Sequence, residues 1–356
     1  MSNEAFPDIL RNPAVSIAAM LLILAGGCGT TPTGVPVSPS GSASVGVTAG
    51  PMLGYAWDST ASGLRPIYGV PGAAEFGSPQ YAGMGYSNAS VCMQKSYALF
   101  TGTKGQTFLA QLPAGTPVTI TAQSGAKEQI ALSPSCSAAL LYAQDSAGAV
   151  LITGLPAAPQ VQTMELPSSG SLTAAAVSDA GMVLAAFGQP GGEIAIDVLS
   201  SKSYSTVTNV ATLAGMTFIA SAAAPQNESA VIADGSKGTV WLASNLTSAV
   251  SLQPIAGTEQ GVSQPSAIAA SADGRWLTIA NLRGTSLMRI DLTGQTSITQ
   301  TACRCAAANL RPLSGNSTFL LSDPSSGPAW VFNGDAVTPR TLFIPGVRSV
   351  TQGAAQ

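Results

Sequence analysis

The chain has 356 residues, of which 46% are hydrophobic but only 9% are charged, against roughly a quarter in an ordinary soluble domain. Its net charge is -3, and lysine and arginine form no cluster, so the sequence lacks the basic footprint that a nucleic-acid partner requires. The chain also has no histidine, which excludes the commonest general base near neutral pH and the serine–histidine–aspartate triad. Chemistry carried by carboxylate, lysine or tyrosine side chains stays open.

The first apolar stretch follows Arg11 and runs over Ala14–Ala25, which is shorter than the ~20 residues of a membrane-spanning helix. It ends in small residues directly before Cys28, a layout typical of a secretory signal. The segment Leu24-Ala-Gly-Gly-Cys28 resembles the lipobox of bacterial lipoproteins. This resemblance implies a signal peptide over residues 1–27, lipidation of Cys28, and attachment to the membrane in the bacterial cell envelope, with Gly29 favouring the outer membrane. The alternative is an ordinary signal peptide in which Cys28 has no role.

Residues 28–51 follow as a segment rich in Thr, Pro, Ser and Gly, with no charged side chain. Such a composition buries too little apolar surface to fold, so we interpret it as a flexible linker that holds the folded body away from the membrane. The folded domain is expected to begin at residue 52 and to end at residue 346. Residues 347–356 are predicted to be a disordered tail.

The body reads as a series of short strands with a repeat of roughly 40 residues. A leading hairpin (Leu53–Asp58 and Leu64–Tyr68) is followed by six units that each carry several strands. The first strands of these units are predicted near Ser90, Gln129, Leu172, Phe218, Ser266 and, in the last unit, Ala306–Asn309.

The unit that begins at Ser266 is the clearest: two strands enclose the turn Ser271-Ala-Asp273-Gly274. This turn is similar to the Ser-x-Asp-Gly signature of bacterial β-propellers of the WD-like and lactonase-like (YVTN-type) class, and Ser178 and Ser133 begin partial copies. The resemblance implies an all-β propeller over residues 52–346, because small sheets that cannot bury both faces alone do so when stacked around an axis. Seven blades are predicted, the first either completed or left short; six blades plus an appended hairpin, or a pair of β-sandwiches, are the alternatives.

Four cysteines remain when Cys28 is set aside, and in an exported protein they are disulfide candidates. Within the propeller that the resemblance implies, Cys92 and Cys136 lie at neighbouring turns, so we pair them. Cys303 and Cys305 then remain to pair with each other, across a single intervening residue. A zinc site is disfavoured because the chain has no histidine and the cysteine spacing is wrong.

No residue is assigned a catalytic, cofactor-binding or metal-binding role. The acidic residues at turns (Asp179, Asp234, Asp273 and Asp323) are interpreted as turn-formers rather than calcium ligands or acid–base groups. The four tryptophans are interpreted as core residues rather than as a sugar-binding face; they are Trp57, Trp241, Trp276 and Trp330.

These observations favour a lipid-anchored binding or scaffolding module whose loops meet a protein, peptide or glycan in the envelope. The alternative is a lactonase-like or glycan-active enzyme that uses carboxylates at the mouth of the central channel. A structural component of the cell surface is a third possibility. The two leading hypotheses differ in the chemistry that they require of the channel: converging carboxylates for the enzyme, and an uncharged Ser/Thr/Ala lining for the binding module.

Overall fold

The computed structural model of the protein describes residues 50–121, 129–144, 146, 148–167, 170–199, 204–220, 229–294 and 297–346. The chain divides into two units, residues 1–46 and 47–356, and all described residues belong to the second. The predicted signal peptide, Cys28 with most of the predicted linker, and the predicted tail therefore lie outside the described residues.

The described chain forms seven antiparallel sheets, each built from strands that are consecutive in sequence. We number these sheets as blades 1 to 7. Blade 1 contains β1 (Met52–Asp58), β2 (Gly63–Val70) and β3 (Ala73–Phe76). Blades 2 to 4 contain β4 (Tyr86–Cys92), β5 (Tyr97–Gly102), β6 (Thr107–Gln111), β7 (Val118–Thr121), β8 (Gln129–Leu132), β9 (Ala138–Tyr142), β10 (Gly148–Thr153), β11 (Gln160–Glu165), β12 (Ser171–Val177), β13 (Val183–Gly188), β14 (Ile194–Leu199) and β15 (Tyr204–Val210).

Blades 5 to 7 contain β16 (Leu213–Ile219), β17 (Ser229–Asp234), β18 (Thr239–Ser244), β19 (Ser251–Ala256), β20 (Pro265–Ala270), β21 (Trp276–Asn281), β22 (Ser286–Asp291), β23 (Ile298–Ala302), β24 (Arg311–Pro312), β25 (Thr318–Leu320), β26 (Ala329–Asn333) and β27 (Arg340–Ile344). Two single 3-10 turns, Thr258–Gln260 and Pro324–Ser326, are the helical elements of the described chain. The prediction of an all-β, seven-bladed propeller is confirmed.

Burial changes regularly from the first strand of a blade to the last. The second strands of blades 2 to 7 are buried along all or nearly all of their length, as in β5 and β9, because a neighbouring blade covers each of their faces. Fourth strands such as β11 are mostly exposed. The near-continuous apolar runs of the second strands are what a strand buried on both faces requires.

Seven clusters of buried apolar side chains hold the blades together, one at each interface between neighbours. The cluster between blades 7 and 1 closes the ring, and it joins the first and last parts of the described chain. The Ser314 N–H of blade 7 also donates to the Leu53 carbonyl of blade 1 (2.7 Å). The buried members of the closing cluster are Leu53, Ala56, Ile67, Leu313, Leu320, Ala329, Val331 and Ile344.

The structure differs from the predicted strands at the two ends of the ring. Blade 1 gains a third strand, β3, in the Pro/Gly-rich stretch that follows the predicted hairpin, and it remains one strand short of the others within the described residues. In blade 7 the first strand is β24, not Ala306–Asn309. The predicted segment packs instead as a loop against blade 6, where Ala307 is buried and its carbonyl accepts from the Ser266 hydroxyl (2.7 Å).

The closing cluster predicts which substitutions unfold the ring. Replacing the fully buried Ile67 by alanine removes apolar contacts at the interface of blades 1 and 7, and it should lower the free energy of unfolding by about 2–5 kcal/mol. Leu282, which is 48% exposed, provides the control, because the same truncation there should change stability by less than about 0.5 kcal/mol. Denaturant unfolding of the two variants and the wild type measures the difference in the free energy of unfolding. Equal losses of stability in the two variants would contradict the conclusion that the closing cluster stabilises the ring.

Candidate functional site

One cavity lies on the axis of the ring, where the first strands of five blades end and turn into the second strands. It has a volume of about 390 Å³ and is lined from blades 2, 3, 5, 6 and 7. First strands converge on the axis, and small residues such as Ala269 and Ala270 on β20 let them approach each other. The cavity is therefore a product of the ring itself and not of any one loop.

The described lining of the cavity is uncharged: it includes no Asp, Glu, Lys or Arg. Hydroxyl and amide side chains alternate with apolar ones. Such a surface offers hydrogen bonds and apolar contacts but no ion pair. Representative lining residues are Gln94, Met216, Thr217, Ile268, Ser271 and Asn316.

The turn signature of blade 6 fixes one part of the cavity rim. The Ser271 hydroxyl donates to Asp273 and accepts from the Trp276 N–H (2.8 Å), while the Gly274 N–H donates to the Ser271 carbonyl (2.9 Å). Gly274 has a φ of +70°, and a Cβ there would overlap the carbonyl oxygen of Ala220 in blade 5. Ser178 and Ser133 accept from backbone N–H groups in the same way, which explains the partial copies of the signature.

Covalent and polar links join the turns of adjacent blades around this rim. A disulfide connects Cys92 of blade 2 to Cys136 of blade 3, as predicted, and the Tyr97 hydroxyl donates to the Cys136 carbonyl (2.7 Å). Cys92 and Cys136 both line the cavity. The link therefore holds the wall of the site in place as well as the two blades.

Two of the acidic turn residues extend this set of links. Asp179 of blade 4 accepts from the Ser135 N–H of blade 3 (2.9 Å). Asp273 of blade 6 accepts from the Asn316 side chain of blade 7 (2.9 Å), and the Asn316 side chain accepts in turn from the Asp273 N–H (2.9 Å). We predicted these aspartates as turn-formers only; their contacts between blades depend on which turns become neighbours, and a single-sequence pattern does not carry that information.

The other acidic turn residues behave as predicted. Asp234 accepts from the N–H groups of Ser236 (2.8 Å) and Lys237 (3.0 Å), and Asp323 accepts from the Ser325 N–H (2.9 Å). Within the described residues, no group of three or more Cys, Asp or Glu side chains is placed to hold a metal ion.

Hydrogen bonds favour the ionised form of the turn carboxylates Asp234 and Asp273 and of Asp291 beside the rim. Burial alone would raise the pKa of Asp234 and of Asp273, but the hydrogen bonds from their own turns outweigh it and the net shift of each pKa is downward. A hydrogen bond from Arg275 lowers the pKa of Asp291 to about 2. A general acid needs the opposite shift, so none of these three carboxyls suits that role near neutral pH.

Tyrosine is another residue type that the sequence left open for acid–base chemistry. Burial raises the pKa of Tyr55 to about 12, and it also raises the pKa of Tyr81, Tyr86, Tyr97 and Tyr142. These hydroxyls stay protonated at neutral pH, so they act as hydrogen-bond donors and acceptors rather than as bases.

The tryptophans lie apart from the cavity and from one another. Trp57, Trp241 and Trp330 pack against three different interblade clusters. Trp276 lies between two guanidinium groups, with the Arg289 Cζ 3.8 Å and the Arg275 Cζ 4.9 Å from its ring centroid. They form no common sugar-binding face in the described chain.

The sequence analysis also pairs the two remaining cysteines with each other. The structure joins Cys303 to Cys305, and both are buried between blades 6 and 7, away from the cavity.

Among the described residues, the structure contains no helix of the length and hydropathy that a membrane span requires.

No protein-family model matches the chain, and no curated protein matches it. Solved structures do resemble it. A protein of unknown function from Desulfotomaculum acetoxidans is 12% identical, with a TM-score of 0.56 over 83% of this chain and 99% of the other. A protein from Bacteroides fragilis, described as a candidate 6-phosphogluconolactonase, is 12% identical, with a TM-score of 0.55 over 83% and 94% of the two chains. Its counterpart from Bacteroides uniformis is 12% identical, with a TM-score of 0.53 over 83% and 96%.

What these proteins share with the chain is the seven-bladed propeller. At 12% identity the similarity shows the fold alone.

The Arg275–Asp291 pair beside the rim predicts a defined acid sensitivity. Arg275 Nη2 lies 2.9 Å from Asp291 Oδ2, and the folded state holds the Asp291 pKa at about 2, below its ordinary value of 3.8. A lowered folded pKa stabilises the fold above the unfolded pKa, and this contribution is lost as the pH falls through the folded pKa.

Asp291→Asn should therefore lower the melting temperature at pH 5–7. The difference in melting temperature between this variant and the wild type should shrink between about pH 4 and pH 2. Melting curves across this range measure it. Glu165→Gln on the exposed strand β11 is the control for losing one carboxylate. A difference that stays constant down to pH 2 would mean that the pair does not set this sensitivity.

Proposed function

We propose that the protein is a lipid-anchored binding module of the bacterial envelope, and that its partner engages the axial cavity. The observation that carries the proposal is that the described lining of that cavity is uncharged and lies within a rim of cross-linked turns. Rigid turns lower the entropy lost when a partner binds, because little of the site has to become ordered. The partner class is a protein, peptide or glycan segment that presents uncharged groups to the cavity.

The same lining weighs against the enzymatic alternative. Hydrolysis of a phosphorylated lactone, the reaction suggested by the description of the two Bacteroides proteins, would require cationic groups for the phosphate and an acid or base for the ring. The described lining offers neither, and the rim carboxyl Asp273 has a lowered pKa. The chain has no histidine that could take the role of the base.

The anchor is proposed from the sequence. Cys28 follows an apolar segment and two glycines, as a lipidated cysteine does, and several acyl chains at about 0.8 kcal/mol per buried CH₂ would give stable attachment. Outer-membrane localisation is part of the same proposal.

Metabolic labelling tests the anchor. Cells that express the protein and are fed an alkyne fatty acid should label the wild type and leave Cys28→Ser unlabelled, because the acyl chains attach at this residue. Cys303→Ser/Cys305→Ser, which removes two cysteines of the body, is the control and should label like the wild type. Equal labelling of Cys28→Ser and the wild type would remove the anchor from the proposal.

Obstruction of the cavity mouth tests the binding role. Ser314 is exposed and lines the cavity, so Ser314→Trp should block the mouth at little cost to folding. Thr299→Trp on the exposed face of β23 carries the same bulk far from the cavity. In cross-linking and affinity capture from native membranes, the captured amount of a partner that uses the cavity should fall at least about tenfold with Ser314→Trp. With Thr299→Trp the captured amount should stay at the wild-type level. Partners retained equally by both variants would exclude the cavity as the binding site.

A further inference from the structure

The turns of the ring lie on two opposite faces. In a blade of antiparallel strands that follow one another in sequence, the turn after the first strand and the turn after the third lie at the same end. In blades 2 to 7 both of these turns therefore lie on the face that carries the axial cavity, which we call the cavity face. The turn after the second strand and the connection to the next blade lie on the opposite face.

Blade 1 follows the same arrangement, with β1 in the place of a second strand. At the start of β1, the Leu53 carbonyl accepts from the Ser314 N–H in the turn after β24, which lies on the cavity face (2.7 Å). Beyond the other end of β1, the Ser59 hydroxyl donates to the Ser325 hydroxyl in the turn after β25, which lies on the opposite face (3.4 Å). The turn between β2 and β3, at Val70, therefore returns to the cavity face.

Exposed apolar side chains are concentrated on the cavity face. Nine large apolar side chains of the described chain are exposed, and six of them lie at one recurring corner, between the last two strands of a blade. Six different blades contribute one residue each, so these side chains form a ring around the axis. The six corner residues are Val70, Val118, Val161, Tyr204, Leu252 and Val337.

The two faces also differ in how their charges are held. On the cavity face, the exposed carboxylates of Asp179, Asp273 and Asp335 accept hydrogen bonds from neighbouring turns. The exposed Arg275 pairs with Asp291. Charges that are bonded within the body lose less than free ones when water is displaced by a less polar surface. The opposite face carries exposed charged side chains in its turns and connections, among them Lys104, Glu193, Lys237, Glu259, Arg283 and Arg304.

A membrane surface fits the cavity face. A ring of single apolar side chains with a tyrosine among them matches the interfacial layer of a bilayer, whereas a protein partner would require a contiguous apolar core within its interface. Arg340 is also exposed on this face, at the start of β27, where its guanidinium can pair with a lipid phosphate. The body begins on the same face, because the Pro51 carbonyl accepts from the Gly69 N–H beside the corner of blade 1 (2.7 Å). The chain that leads back to Cys28 joins the body there.

We propose that the cavity face lies on the membrane surface, with the six corner residues in contact with lipid. The choice of a membrane as the partner rests on the lipid anchor proposed above. The contact itself is a property of the body, because the corner residues belong to the blades. The mouth of the cavity lies on the same face, so a partner of the cavity would be a molecule at the membrane surface.

Photocross-linking to lipid tests which face meets the membrane. The protein is purified from membranes and reconstituted into phosphatidylcholine vesicles that include a phosphatidylcholine with a diazirine on its acyl chain. After illumination, mass spectrometry should find at least about fivefold more lipid adducts at the corners of Val118 and Leu252 than at Leu282 on the opposite face, because only the corners would contact the bilayer. Equal labelling of the two faces would overturn the proposal. Labelling of neither face would also overturn it and would leave the corners to a protein partner.

The same vesicles separate this proposal from the anchor. Cys28→Ser protein mixed with them should give fewer adducts but the same preference for the corners, because the corner residues set the orientation of the body. If neither this variant nor the wild type shows the preference, the membrane contact is wrong whether or not Cys28 is acylated. Equal fatty-acid labelling of Cys28→Ser and the wild type would instead remove the anchor alone.

A matched pair of double variants tests the corner residues directly. Tyr204→Ser/Val337→Ser removes two corner side chains, and it should lower lipid labelling at Val118 by at least about threefold, because less apolar surface is left to meet the bilayer. Met84→Ser/Leu282→Ser removes two exposed apolar side chains of the opposite face and should leave that labelling at the wild-type level. All four positions are exposed, so both variants should fold. Equal labelling of the two variants at Val118 would contradict the role of the corners.

Discussion

The fold depends on one constraint: a four-stranded sheet with two apolar faces is unstable in water until both faces are covered. Each blade meets this requirement only through its neighbours, and the seven interblade clusters are the result. A linear stack would leave two faces exposed at its ends. Closure between blades 7 and 1 removes those ends, so the contacts of Leu53 and Ile67 with Leu313 and Leu320 stabilise the whole ring.

Closure also produces the candidate site. When seven sheets share an axis, their first strands converge and the turns that follow form a rim. The rim is fixed by contacts between blades, including the Cys92–Cys136 disulfide and the pairing of Asp273 with Asn316. Because the axis is narrow, the strands near it carry small residues such as Ala269 and Ala270, and the described lining of the cavity is mostly apolar, with hydroxyl and amide side chains among the apolar ones. Stability and site therefore arise from the same packing.

The sequence predicts the parts of this structure that are encoded locally. The Asp273–Gly274 turn, with Ser271 as its hydrogen-bonding partner, marks the first strand pair of blade 6, and the partial copies that begin at Ser178 and Ser133 mark those of blades 4 and 3. Features that depend on packing were missed: β3 lies in a Pro/Gly-rich stretch, and Ala306–Asn309 has strand composition but packs as a loop against Ser266. The link from Asp179 to Ser135 joins residues 44 positions apart, so only the ring brings them together.

The low charge of the protein limits how the binding module that we propose would recognise a partner. Charged surfaces accelerate encounter by electrostatic steering and reject like-charged competitors, and both effects weaken with salt. A chain with 9% charged residues and an uncharged described cavity lining has little access to either. Recognition must then come from shape and from hydrogen bonds, which discriminate by leaving a poorly matched polar group unpaired. Discrimination by shape and hydrogen bonds works only if the site has its final geometry before the partner binds. The links between turns of adjacent blades would hold the site in that geometry.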